Sequence, residues 1–329
     1  MWTSWSSNLR RGHRESVSAN ALSMSLDPET WPALPMTSWA PTFATLHMLT
    51  QIVGKTRLAL APMENHWWQV TLYVTPRGLT TSSMPYGQRT AAVDFDFIDH
   101  SVVIRTSPGA SRAIPLVSRS VREFYVEYLD VLKALDIGAK IRGVPVEIVT
   151  AIPFGEDTER HTYDAEWANR WWRVMVQTDR ILKTFRGRFI GKASPVHFFW
   201  GSFDIAATRF SGRSAPEFSG VVPNCPDYVM KEAYSRECSS CGFWPGGDGQ
   251  DAAFYSYAYP EPEGYKSYTL NSESGYYDET LREFVLPYEP MRTSSSPDDT
   301  LLEFLQATYE AAANCAKWDR AALERTANR

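Results

Sequence analysis

Two stretches of this 329-residue chain carry the same chemistry-bearing residue types in the same order. The first runs Gly54-Lys55, Asn65-His66-Trp67-Trp68, Arg77-Gly78. The second runs Gly191-Lys192, Val196-His197-Phe198-Phe199-Trp200, Arg209, with Gly212 beyond it. In each, a His followed by bulky aromatics precedes an Arg. Imidazole is the usual acid–base group near neutral pH and the commonest metal ligand. Paired arginines grip a carboxylate or phosphate through forked donors. If the two stretches face each other, two histidines and two arginines surround one cleft.

A carboxylate would complete such a site, and Asp204 and Glu237 are the candidates. His66, His197, Asp204 and Glu237 are therefore the expected catalytic groups. His66, His197 and Glu237 would be the ligands of a zinc, iron or copper ion, with positions left open for water and substrate. A form without metal keeps the same histidines as acid–base groups. Asp204 has the opposite strand parity to His197, and a bulge at Gly201 would restore the face. Arg77 and Arg209 would anchor an anionic group. Tyr73 and His47 would reach the substrate, His47 sharing a helix face with Gln51. Trp67, Trp68, Trp200 and Trp244 would wall the cleft. Taken singly, each His is read equally well as a buried residue with a backbone partner, and each Arg as a surface ion pair.

Other signatures are missing. Cys238-Ser239-Ser240-Cys241 is a lone CxxC, and Gly242 and Pro245 argue against the helix N-terminus that would activate a thiol there. It reads as a structural pair. Phosphate-loop and dinucleotide patterns are absent, so no nucleotide cofactor is expected, and there is no nucleophile elbow. His100 and His161 read as exposed and uninvolved.

Periodicity supplies the elements that position these residues. A helix carries Phe43, Leu46, Leu49, Val53 and Leu60, with Pro41 in its first turn. Residues 67–74 alternate as a half-buried strand. Residues 91–97 and 102–104 form a hairpin, and 113–117 return. Ser118 or Ser120 caps a helix containing Phe124, Leu129 and Leu132. Residues 140–149 read as a strand. The polar stretch 152–163 divides two halves, 30–150 and 151–329, each with a helix and hairpins and together one compact unit. Asp164 caps a long helix from Trp167 to Phe189. Residues 197–210 read as one strand, 239–249 as a stiff aromatic–glycine loop, 254–259 as a strand, 260–291 as irregular, and 301–316 as a terminal helix. Strands interrupted by helices in this way predict an α+β fold of antiparallel sheets packed against helices, in two loosely similar halves.

Composition narrows the setting. Hydrophobic residues are 43% and charged residues 22% of the chain, ordinary values for a globular protein. The net charge of −5, without a basic stripe, argues against a nucleic-acid partner. No apolar run approaches the roughly 20 residues needed to span a bilayer. Residues 1–29 are polar and read as a disordered tail without a secretory signal. Four cysteines without an export signal predict a cytoplasmic protein lacking a disulfide framework.

The quoted stretches, together with Trp31-Pro32-Ala33-Leu34-Pro35, Gln51-Ile52-Val53-Gly54-Lys55, residues 194–204, Ser239 to Gly246 and Tyr257 to Pro262, resemble the bacterial family of unknown function numbered 5996. The resemblance covers about residues 30–325 and implies no established reaction. The expectation is a small-molecule enzyme with a His/carboxylate site, metal-assisted, in a cleft between the halves, acting on a small polar or aromatic anionic substrate. The alternative is a non-catalytic binder of an anionic metabolite in an aromatic-walled pocket. A third reading is an interaction module using the exposed aromatics of the 242–247 loop.

Overall fold

The computed structural model describes residues 30–247, 249–270 and 275–325. The expected tail at 1–29 lies outside the described residues. The architecture is α+β, with two antiparallel sheets. The first holds β1 (Tyr73–Thr75), β2 (Gly78–Thr80), β4 (Arg89–Asp96), β5 (Ser101–Thr106) and β6 (Ser111–Pro115) in that order, and β3 (Met84–Tyr86) also pairs with β4. The second comprises β7 (His197–Phe199), β8 (Asp204–Ser214), β9 (Arg236–Trp244), β10 (Ala253–Tyr259), β11 (Tyr276–Asp278) and β12 (Glu283–Pro287), ordered β11-β12-β10-β9-β8-β7. The helices are α1 (Met36–Leu60), α2 (Val121–Ala134), α3 (Ala165–Gly187), α4 (Asp227–Ala233), α5 (Tyr288–Arg292) and α6 (Pro297–Cys315), with a short α7 (Arg320–Leu323). Among the described residues, no helix is long and apolar enough to cross a membrane.

Helix α1 is buried on all sides over most of its length, polar residues included. Buried polar groups persist only when paired. Thr45, Thr50 and Thr56 bond back to α1 carbonyls, while Gln51 and Arg57 reach neighbouring backbone. Helix α3 is the amphipathic helix that its spacing predicts, burying Trp171, Val174, Ile181 and Phe185, and Asp164 caps it by accepting from the Glu166 and Trp167 amides. Ser120 and Glu123 close a capping box at the start of α2. One hydrophobic cluster runs from Trp31 to Trp318 and takes in residues of both sheets. The sheets meet where Leu72 and Phe198 exchange backbone hydrogen bonds of 2.9 and 2.7 Å.

Several expected elements differ. Residues 65–70 form a 3₁₀ segment rather than the start of a strand, because His66 and Trp67 both take left-handed backbone (φ 60° and 62°). Of the alternating run, Tyr73 and Val74 pair with β2 of the first sheet and Leu72 with Phe198 of the second. Residues 197–210 form a hairpin rather than one strand: the chain reverses at 200–203, and Asp204 pairs with Phe199. No bulge at Gly201 is needed, since the reversal itself puts His197 and Asp204 on one face. Residues 140–149 form no strand: Gly143 and Pro145 interrupt the run, and the Val146 backbone pairs with the Gln51 side chain instead. The stretch 239–244 read as loop is part of β9, where Gly242 lies between Ala206 and Tyr255 in register. Residues 260–291 supply β11, β12 and α5, recruited to the edge of the sheet by β10.

Candidate functional site

A cavity of about 650 Å³ lies over one face of the second sheet. Strand periodicity builds its floor: alternate residues place Ala206, Gly242 and Tyr255 in one row and Thr208, Ser240 and Tyr257 in the next. Asp204 heads the β8 column. The walls are the end of α1, the 65–70 segment with Trp67 and Trp68, the 200–202 turn, α4, and the 142–147 segment. Its volume suits a small molecule.

Asp204 on the floor is buried, only 6% exposed. It accepts hydrogen bonds from the hydroxyls of Ser202 and Tyr255. Burial raises its pKa, and the two hydroxyls partly oppose the rise. Tyr255 reaches Asp204 by lying across Gly242, where a Cβ would overlap its phenol and the Ile205 carbonyl. Tyr255 stacks on Tyr257, whose hydroxyl is 2.8 Å from that of Tyr234.

Glu147 faces the same cavity and has left-handed backbone (φ 61°). Its carboxyl rests on Gly201, where any Cβ would overlap it. Helix α1 fixes this arrangement from behind. Gln51 bonds both the amide and the carbonyl of Val146 (2.9 and 3.0 Å), and His47 donates its Nε2–H to the Gly201 carbonyl (2.8 Å). The Glu147 amide donates to Pro223 (2.8 Å) on the far side. Glu147 is exposed by surface area, although many protein atoms lie around its carboxyl, so solvent screens part of the burial effect on it. Burial, then the nearby Asp204 charge, raises its carboxyl to about 7. Among the described residues, four of the ten non-glycine positions with left-handed backbone line this cavity: His66, Trp67, Glu147 and Asn224. Such conformations persist where the surroundings over-determine them, and they concentrate at functional sites.

His66 lines the cavity with both ring nitrogens engaged. Nδ1–H donates to the Ala233 carbonyl (2.9 Å), and Nε2 accepts from the Lys192 ammonium (2.7 Å). Burial and that ammonium push its pKa below the ordinary value. Lys55 also lines the cavity, 4% exposed, with Nζ 5.5 Å from the centroid of the Trp200 ring. Burial, with Arg142 nearby, lowers its pKa to about 8. Trp200 lies against Gly54 and donates Nε1–H to the Val70 carbonyl (2.6 Å).

The structure thus brings His66, Asp204, Trp67, Trp68 and Trp200 to one cavity and puts His47 directly behind it. The other expected site residues lie elsewhere. His197 shares the floor face but sits beneath Trp68 and Tyr73, off the cavity. Its Nδ1–H donates to Thr71 (3.1 Å), Nε2 has no partner among the described residues, and burial lowers its pKa to about 3. Tyr73 carries the Arg57 guanidinium over its ring, off the cavity. Arg77 stands at the β1–β2 turn in exposed ion pairs with Asp96 and Asp99. Arg209 points from the opposite face of β8 into a cage of Phe185, Phe189 and Tyr309. Glu237, also on the opposite face of its strand, pairs with Arg213 and Ser211. Trp244 packs beside Gly247.

The expected ligand set of His66, His197 and Glu237 is therefore not assembled, and no group of three or more His, Cys, Asp or Glu converges at metal-binding distance among the described residues. Cys238 and Cys241 are free thiols, buried on opposite faces of β9, and burial raises both to about 12. Sequence reasoning missed Glu147, Lys55 as a functional group, and Tyr255. The alternation Tyr255, Tyr257, Tyr259 was a legible signal for a one-sided tyrosine face. Nothing local marked Glu147.

Residues 31–325 match the family of unknown function DUF5996. The chain belongs to that family. The DUF5996 match covers every residue of the cavity described above. No curated protein and no solved structure matches the chain.

Proposed function

We propose that this protein is an enzyme using general acid–base catalysis on a small molecule held in the 650 Å³ cavity, with Asp204 and Glu147 as the proton-transferring groups. The observation that carries this reading is the carboxyl pair: Asp204 held by two hydroxyls, and Glu147 locked over Gly201 into the same space. Two carboxyls in unlike surroundings take unlike roles. Asp204 acts as base: burial raises its carboxyl, and the Ser202 and Tyr255 hydroxyls hold its charged form against that rise. Glu147, which keeps its proton toward neutral pH, acts as acid. His66, already bonded at both nitrogens, orients the 65–68 wall. Trp67, Trp68 and Trp200 exclude water. This scheme departs from the expected metal-free form, in which His66 and His197 transfer the protons, by moving that work to two carboxyls.

A second reading, a non-catalytic binder of an anionic metabolite, is favoured by Lys55 and Arg142 lining one side of the cavity. One experiment separates the two. Copurifying small molecules are identified by native mass spectrometry. They and a set of aromatic and aliphatic carboxylates are then incubated with the EDTA-treated protein, and products are followed by liquid chromatography. Turnover reduced about 100-fold or more in both Asp204→Asn and Glu147→Gln, with binding retained, is the expected outcome. Full turnover in both variants would sink the acid–base assignment. A tightly held ligand that is never converted would favour the binder.

A further inference from the structure

Lys55 is a buried amine on the cavity wall that the acid–base scheme leaves unused. It follows Gly54, whose missing Cβ lets the Trp200 ring lie flat against α1 and beneath the lysine. The side chain is 4% exposed, and what it exposes borders the cavity. Among the described residues, no carboxylate, carbonyl or hydroxyl accepts a hydrogen bond from its ammonium, which lies over the face of Trp200. The comparison within the molecule is Lys192, which also lies over a tryptophan, Trp68, but donates to His66. The titratable neighbours of Lys55 are Arg142, whose charge lowers its pKa, and the Cys225 thiol, which raises it; both line the cavity.

An amine that is desolvated, set beside another cation and denied a counter-ion, loses its proton readily and becomes a nucleophile. We propose that Lys55 condenses with the carbonyl group of an aldehyde or keto acid bound in this cavity, forming an imine, with Arg142 holding the acid group of the substrate. The proposal rests on the reading of this cavity as an active site and names its substrate class. The neutral Nζ attacks the carbonyl carbon, a C–N bond forms, and the carbonyl oxygen takes a proton. The resulting carbinolamine then loses its hydroxyl as water, the C–O bond breaking as the nitrogen lone pair forms the C=N bond. Amine plus carbonyl thus gives imine plus water, with no oxidant or reductant. Water loss needs a proton donor at the hydroxyl and an acceptor for the nitrogen proton, roles that Glu147 and Asp204 supply. The depressed pKa of Lys55, about 8, agrees with a nucleophilic amine.

The test is reductive trapping. The full-length protein is incubated at pH 7 with glyoxylate or with 4-carboxybenzaldehyde, each with cyanoborohydride, and adducts are located by peptide mass spectrometry. At pH 7 an amine of pKa 8 is about 200-fold more deprotonated than an ordinary lysine near 10.4. Lys55 should therefore be labelled at least about tenfold faster than the surface lysines and than Lys192. Lys55→Arg, checked for an unchanged circular dichroism spectrum, should lose that fast phase alone. Uniform labelling of all lysines with both probes, or no fast phase, would overturn the proposal. The carboxyl variants separate it from the acid–base reading. Slower Lys55 trapping in Glu147→Gln and Asp204→Asn supports both. Trapping at wild-type rate in both variants keeps the imine and removes the carboxyls from its formation.

Discussion

Lys55 and Lys192 each follow a glycine, and each ammonium lies 5.5 Å from the centroid of a tryptophan in the other look-alike segment, Trp200 and Trp68 respectively. The Leu72–Phe198 bridge joins the same two segments. Beyond these contacts they diverge at every chemistry-bearing position. His66 reaches the cavity because its backbone turns left-handed, whereas His197 stays in a regular strand and is roofed by Trp68 and Tyr73. Lys192 is tied to His66, and Lys55 faces the cavity. Arg77 is solvated in ion pairs, while Arg209 is caged in aromatics. The same residue types in the same order therefore produce one site. What a side chain can do follows from what covers it, and cover is set by residues far away in sequence.

The arginines give the largest test of this divergence. Arg209→Ala should cost about 3 kcal/mol, because it empties a buried aromatic cage, whereas Arg77→Ala removes only solvated ion pairs and should leave the unfolding midpoint nearly unchanged. Urea unfolding of both variants checks this, and equal losses would show that the two arginines are equivalent after all. The glycines come next. A Cβ at Gly54 meets the Trp200 ring wedged between α1 and the 200–203 turn, while at Gly191 it meets the Leu323 and Phe189 side chains near the C-terminus. Gly54→Ala should therefore cost about 2 kcal/mol and Gly191→Ala about 1 kcal/mol, measured in the same way.

The smallest effect is a pH dependence. Glu147 has a folded pKa of about 7, above its ordinary 4.5, so between these values the folded protein holds a proton that the unfolded chain has released. Stability contributed by this group is therefore full below pH 4.5, falls as pH rises to 7 and is constant above. Glu147→Gln should flatten that fall, with a melting temperature at pH 8 above wild type by on the order of 1–2 °C, a gain reduced by solvent screening of this exposed carboxyl, and no such gain at pH 4.5. Parallel melting curves for the two proteins at all pH values would contradict the raised pKa.

Much of the frame was legible because it is local. The α3 apolar spacing, the Asp164 and Ser120 caps and the alternation in 91–97 and 254–259 each depend on residues within one element. His66, Asp204, Trp68 and Trp200 were legible as candidates from residue type and order. The strand read over 67–74 forms only at its end, because two consecutive left-handed residues, His66 and Trp67, start a 3₁₀ segment there without a glycine to announce it. The 239–249 stretch was misread for the converse reason. Gly242 looked like loop material, but its missing side chain makes room for a neighbouring strand's tyrosine.

Strand parity in the sequence determined which residues of β8 and β9 share a face: it separates Arg209 and Glu237 from Thr208 and Ser240. It could not say which face would border a cavity and which would be packed against helices. Only the tertiary structure decided that Glu147, more than fifty residues upstream of Asp204, would be seated on Gly201, with its neighbour Val146 held by Gln51. Likewise, only packing decided that His197 would be sealed and Lys55 left facing open space. Periodicity is a property of neighbours along the chain, whereas desolvation and proximity, which give these groups their chemistry, arise from surfaces brought together across it.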